Sequence, residues 1–426
     1  MKTEQKGNMY SKTVRRIKGA LCMLLCLILM MPVMTAQAAT ALSRYSDEDY
    51  IGYFNEGLAP VICGGRWGFI DQNGREVIKP QYDGISNPKF VDGLALVGKA
   101  GKYGYIDKNG KEVIKLQYDS CSSSGHFSEG LAGLGKGGKY IFVNKKGKEV
   151  LKVNYDSASE FTEGMSQVSK KGKYGYINKK GKEIVKPQYD EAELFAEGMA
   201  EVGKKGKYGY INQKGKEVIG LKYDWAASFS EGLASVSRNG KCGYVNKKGE
   251  EVIGLKYDWA GSFSEGLAAI SKNGKLGYID QNGKEVIPCR YSTAGDFLNG
   301  IAVVDKNGKR GCINKKGEEI VKPKYNQIDA HFEDGYAWVT DKNGKIGMID
   351  QAGKEIIKPK YTWTVNFSEG LAAVSRGNKM GYVNMEGKEV IKPQYDQANG
   401  FSEGLAAVCK GGKWCLIDKN GNVAAK

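Results

Sequence analysis

Phenylalanine followed three residues later by glycine recurs eleven times in this chain, from Phe54 to Phe401, at steps of 34 to 37 residues. A fixed period of that length means one supersecondary unit, too small to bury its apolar face alone, that stacks on copies of itself. The array therefore replaces the two or three separate domains that 426 residues would otherwise suggest. Residues 217–234 and 251–268 are identical except for Ala227 against Gly261, so the unit has been duplicated as a module.

The copy from Phe90 to Asp119 shows what the unit encodes. Leu94–Val97 reads as a strand, Gly101-Lys102 as a turn, and Tyr103–Ile106 as a second strand rich in aromatic and β-branched residues. Asp107-Lys108-Asn109-Gly110-Lys111 has the form of a type I turn closed by a left-handed glycine, and Glu112–Lys115 makes a third strand ending near Tyr118. Nothing in the unit has a helical period. The tyrosine recurs ten times and, with the phenylalanine, supplies two large rings per copy for packing between neighbours.

The expected fold is all-β: tandem three-stranded antiparallel meanders of about 34 residues, stacked as an open superhelical array. Closed propellers typically have four to eight four-stranded blades, which eleven three-stranded units fit badly. The alternative is a closed propeller-like ring. Its motive is that the last copy stops at Val423 without the Pro-x-Tyr-Asp phrase, while Tyr45-Ser46-Asp47 stands ahead of the first.

The second strand carries a resemblance. Arg66-Trp67-Gly68-Phe69-Ile70-Asp71, Lys102-Tyr103-Gly104-Tyr105-Ile106-Asp107 and Lys207-Tyr208-Gly209-Tyr210-Ile211-Asn212 resemble the bacterial WG (KWG) repeat. The flanking Phe-x-Glu-Gly-Leu-Ala and Lys-Pro-x-Tyr-Asp phrases are similar to it too, over residues 54–426. In most copies the Trp is replaced, and the Gly is replaced by Ile141 and Cys415 in two. The resemblance implies a β-repeat scaffold of exported bacterial proteins, with no general activity attached.

Residues 1–38 differ from the array. Lys12, Arg15, Arg16 and Lys18 precede an apolar run from Ala20 to Met34, and Ala36-Gln37-Ala38 offers small residues for a signal peptidase. The run is too short to span a bilayer comfortably and contains Pro32. The reading is a secretory signal over 1–38 cut between Ala38 and Ala39, an N-terminal cap over 39–53, and repeats over 54–426. No integral membrane segment is expected after cleavage.

The formal net charge is +16, and the signal's six basic and one acidic residues leave +11 on the mature chain. Such a surface favours anionic neighbours. For an exported protein these are wall polymers and acidic polysaccharides, and nucleic acid is not an expected partner. Seven cysteines remain beyond the signal, an odd number at non-repeating positions, so they are not a disulfide framework. Neither a CxxC pair nor a Cys/His cluster suggests a metal, and no phosphate loop or other cofactor motif appears.

Two columns of carboxylates run along the repeats, one typified by Glu231 and Glu265, the other by Asp224 and Asp258. Paired carboxylates serve glycoside hydrolysis, but an active site needs one asymmetric constellation, so the columns read as turn caps. The informative irregularity is Trp225, Trp259 and Trp363. They stand two residues after the repeated Tyr, a slot filled elsewhere by residues such as Gly84, Ser157, Glu191 and Gln397. A slot that accepts Gly, Glu and Gln faces solvent, which would make each Trp a stacking platform for a sugar ring or part of a protein-binding patch. The competing reading is local packing between near-duplicate units. The function expected is a non-enzymatic, exported scaffold binding an envelope polymer or a protein partner. A polysaccharide- or wall-degrading hydrolase with its site between repeats is the alternative.

Overall fold

The computed structural model describes residue 42 and residues 44–84, 88–121, 126–329 and 332–426. The expected signal segment and its Ala38–Ala39 cleavage point lie outside the described residues.

Blade 6 shows how each unit folds. Its strands are Trp225–Ala226, Leu233–Arg238, Lys241–Asn246 and Glu251–Tyr257, hydrogen-bonded in that order and antiparallel throughout. Asn239 and Gly240, at φ 55° and 72°, make the two-residue turn between the second and third strands. Such a pair matches the right-handed strand twist. At the opposite end, the Asn246 side chain accepts from the N–H groups of Lys248 and Glu250, and Gly249 takes the left-handed position. The turn chemistry read from the sequence is therefore the turn chemistry present.

Ten sheets of this kind have four strands, and the sheet of blade 2 has three among the described residues. The three-stranded unit is thus corrected to a four-stranded blade. The missed strand is two residues long, too short for any period to show. It is recruited by the second strand through pairs such as Trp225–Ser237 and Ala226–Val236.

The open superhelix is also overturned: the array closes into an eleven-bladed β-propeller. Strand Val423–Ala425 completes blade 11 but ends before the residue that carries the repeated Tyr elsewhere. Tyr45, from the other end of the chain, takes that place. Its hydroxyl donates to Glu76 at 2.7 Å, as Tyr223 donates to Glu251 and Tyr361 to Glu389 in the interior of the array. Trp414 donates through Nε1 to the Ser46 carbonyl, and Leu42 N–H bonds the Lys426 carbonyl. Tyr45, Ile51, Val61 and Ile70 share one core with Trp414, Leu416 and Ala425.

The physical reason is that each blade interface buries about nine side chains, as in the core joining blades 5 and 6. An open array would leave two such faces in water, at about 1.5–3 kcal/mol per large apolar side chain. The usual blade number reflects common blade shapes. Closure needs only that a constant rotation between neighbours returns to the start.

Candidate functional site

Because the strands are antiparallel, alternate turns fall at opposite ends of every blade. One end carries the turns between second and third strands, and with them Trp225, Trp259 and Trp363. The other carries the Glu-Gly turns and the turns between third and fourth strands.

Carboxylates of both columns stitch neighbouring blades. On the tryptophan face, Asp224 accepts Lys207 Nζ of blade 5 at 2.5 Å and the Asn239 N–H of blade 6 at 2.7 Å. Asp258 does the same one blade on, with Lys241 and Asn273. The lysine first, then the backbone N–H, hold both carboxyls below the ordinary aspartate range. On the opposite face, Glu231 sits at φ 52°, where a glutamate is uncommon. Its side chain reaches the Gly266 N–H of the next blade at 2.9 Å and Gln281 at 3.1 Å. Glu265 likewise holds the Gly300 N–H and Lys315, and the lysine leads in lowering its pKa. Glu403 carries this stitch across the closure to Gly57 and Gln72. Among the described residues, no group of three or more His, Cys, Asp or Glu side chains is placed to hold a metal ion.

Trp225, Trp259 and Trp363 lie on the edge strands of blades 6, 7 and 10, with 44%, 46% and 40% of their surface exposed. Each heads a row that crosses its sheet: Trp225–Ser237–Cys242–Tyr257, Trp259–Ser271–Leu276–Tyr291 and Trp363–Ser375–Met380–Tyr395. In blades 2 to 5 the same row carries its ring on the third strand, as Tyr103, Tyr140, Tyr174 and Tyr208, with a small or polar residue at the edge. Tyr208 lies across Gly203 and donates to Glu191 on its own edge strand at 2.6 Å. In the three Trp blades the interior ring is gone and an edge ring replaces it. The aromatic is thereby moved outward, from a half-buried to an exposed site. The tryptophans do not form one cluster: Trp225 and Trp259 are on adjacent blades, and Trp363 is three blades further on. A Cβ on Gly261 would come within 2.9 Å of Trp259 Cη2, so that ring leans over Gly261.

Eleven successive stretches, from 49–67 to 380–414, match the model of the WG-containing repeat. The chain belongs to the WG-repeat family. The glycine of the WG phrase has a steric cause here. A Cβ on Gly209 or Gly243 would stand 2.3–2.4 Å from a carbonyl oxygen of the fourth strand, which bulges over it. One exception follows directly: blade 3 pairs Tyr140–Val153, Ile141–Lys152 and Phe142–Leu151 without that bulge, so Ile141 fits.

No curated protein matches the sequence. Among solved structures, the chain is similar at 9% identity and TM-score 0.41 to a eukaryotic initiation factor, covering 77% of this chain and 94% of that one. It is similar at 13% identity and TM-score 0.31 to BamB from Moraxella catarrhalis, covering 63% and 88%. It is similar at 9% and TM-score 0.23 to PorZ, described as a bacterial surface component of the type-IX secretion system of Porphyromonas gingivalis, covering 87% and 66%. Among the described residues, no helix is long and apolar enough to cross a membrane.

The sequence reading located the exposed tryptophans and both carboxylate columns. It named Tyr45 as the piece completing the last unit only under the closed-ring alternative, which is the arrangement present. It also found no off-pattern polar cluster, yet the structure gathers one around blade 9. Its signal was the adjacent pair of departures, Asn299 and Asp334, in a column that is otherwise Glu except at Asp92.

Proposed function

We propose that this WG-repeat propeller is an exported, non-enzymatic scaffold that binds an anionic polysaccharide of the cell envelope on its tryptophan face. The observation that carries this reading is the transfer of the aromatic from the third strand to the exposed edge strand in blades 6, 7 and 10. Packing alone is satisfied by the interior ring, as blades 2 to 5 demonstrate. Rings held on paired strands, beside crossovers tied down by Asp224 and Asp258, are preorganised for stacking on sugar faces. The net positive charge supplies long-range attraction, screened over about 8–10 Å at ordinary salt. The use of both carboxylate columns as stitches weighs against the hydrolase reading.

The test compares the parent with Trp225→Ala/Trp259→Ala in binding to isolated cell walls at low and high salt. Each ring contact is worth about 0.5–1.5 kcal/mol beyond its area. The double variant should therefore bind at least about fivefold more weakly at high salt, with unchanged circular dichroism. If it folds and binds as tightly as the parent, the platform does not exist. If it unfolds, the rings are core.

A further inference from the structure

The stitch on the glutamate face fails on both sides of blade 9. Glu265 and Glu369, the flanking ring positions, each hold the next blade's glycine N–H and a lysine. Between them the ring carries Asn299 and Asp334, whose shorter side chains make no such bond to Gly335 or Gly370 among the described residues. The lysine that would face Asp334, in the position of Lys315 and Lys419, is Met385.

A second set of departures meets the first. The tyrosine that packs on the next blade's Phe, as Tyr278 does on Phe297 at 4.8 Å, is Met348 in blade 9. Opposite it stands Trp338, where other blades carry residues such as Ala269 and Ala373. Trp338 is buried and stacks on Phe367 of blade 10 at 5.5 Å, with the ring planes 4° apart. Together these changes open a cleft of about 580 Å³, bounded by Asn299, Glu333, Asp334, Trp338, Asn366 and Phe367. The volume falls in the range of about 300–1,000 Å³ usual for small-ligand sites. Places where a regular sequence breaks several of its own rules at once are where function is expected.

The lining defines the ligand. Among the described residues, no lysine or arginine borders the cleft, although the chain is strongly basic, and neither Glu333 nor Asp334 has an ion pair. Carboxylates beside an aromatic wall favour a cation with an apolar face. The amides of Asn299 and Asn366 offer both donors and acceptors, which suits hydroxyl groups. We propose that this cleft binds a protonated amino sugar, its ammonium against Glu333 and Asp334 and its ring against the Trp338–Phe367 wall. This site is at the opposite end of the blades from the tryptophan face and stands independently of the function proposed for that face.

Titration calorimetry on the full mature chain, with glucosamine and its short oligomers against N-acetylglucosamine and glucose, tests it. Glucosamine compounds should bind saturably and at least about tenfold more tightly than the two uncharged sugars. Glu333→Gln/Asp334→Asn should lose that preference, while Trp225→Ala/Trp259→Ala keeps it and Asp92→Asn, a ring position paired with Lys145, keeps it too. Met385→Lys restores the cation that other blades carry and should abolish amine binding without touching the cleft's acids. That variant decides the matter if the double acid variant melts early. Absence of saturable binding by glucosamine compounds, equal binding of glucose, or amine binding that survives Met385→Lys overturns the proposal.

Discussion

Replacing Glu201 by Gln should stabilise the propeller more at alkaline pH than in acid. Glu201 lies on strand Met199–Lys204 of blade 5, directly opposite Tyr210, at a position that is Ala, Ser, Gly or Val in many other blades. Burial first, then the charges of Glu193 and Glu191, push its carboxyl from the usual 4.5 up to about 7. Tyr176, Tyr208 and Tyr210 also face this carboxyl, and none supplies a compensating cation. The sign follows from linkage. A carboxyl that holds its proton more tightly when folded favours the fold fully below about pH 4.5, and that contribution is lost as pH rises through about 7. At about 1.4 kcal/mol per pKa unit the difference reaches about 3 kcal/mol, and partial solvent access reduces it to about 1–2 kcal/mol. The chain already contains the replacement: Gln167, at the same position in blade 4, donates its amide to the Ala192 carbonyl of the next blade, and Ser235 in blade 6 donates likewise to Ala260. A Gln at 201 is placed to reach Ala226 in the same way, adding about 0.5–1.5 kcal/mol. Urea unfolding of parent and Glu201→Gln at pH 4.5, 6, 7 and 8 reads the effect. The gap between their midpoints should widen with pH, the variant being the more stable at pH 8. Parallel curves across that window would refute the assignment of the raised pKa to Glu201.

Two further outcomes follow from the ring's construction. Tyr45→Phe removes the hydroxyl bond to Glu76 at the closure and should cost about 1.5–3 kcal/mol, with protease cutting first between residues 42 and 53; the same resistance as the parent would mean the closure does not depend on that bond. Gly243→Ala forces a Cβ against the Ile253 carbonyl at 2.4 Å and should lower the urea midpoint by at least the equivalent of about 1–3 kcal/mol, whereas a midpoint equal to the parent's would show that the fourth strand can move aside.

The repeat period, the turn residues and the alternation of apolar positions determined that this protein is a stack of small antiparallel sheets with two rings per interface. These are local signals. A left-handed glycine after Asp107-Lys108-Asn109 or an aromatic, β-branched run such as Tyr208–Ile211 carries its meaning within a few residues. The solvent exposure of Trp225, Trp259 and Trp363 was legible for the same reason, because a slot that tolerates Gly, Glu and Gln is not a core slot. The two-residue edge strand was not legible, since its identity as a strand comes wholly from the partner that pairs with it. Closure was present only as a hint. Tyr45 has the right phrase around it, but whether it meets Glu76 beside blade 11 depends on an inter-blade rotation accumulated over eleven interfaces, and no single unit encodes that sum. The cleft at blade 9 was invisible for a related reason. Asn299, Asp334, Trp338 and Met348 are scattered over about fifty residues of sequence as separate departures from a column, and only the folding of neighbouring blades against one another brings them to one place.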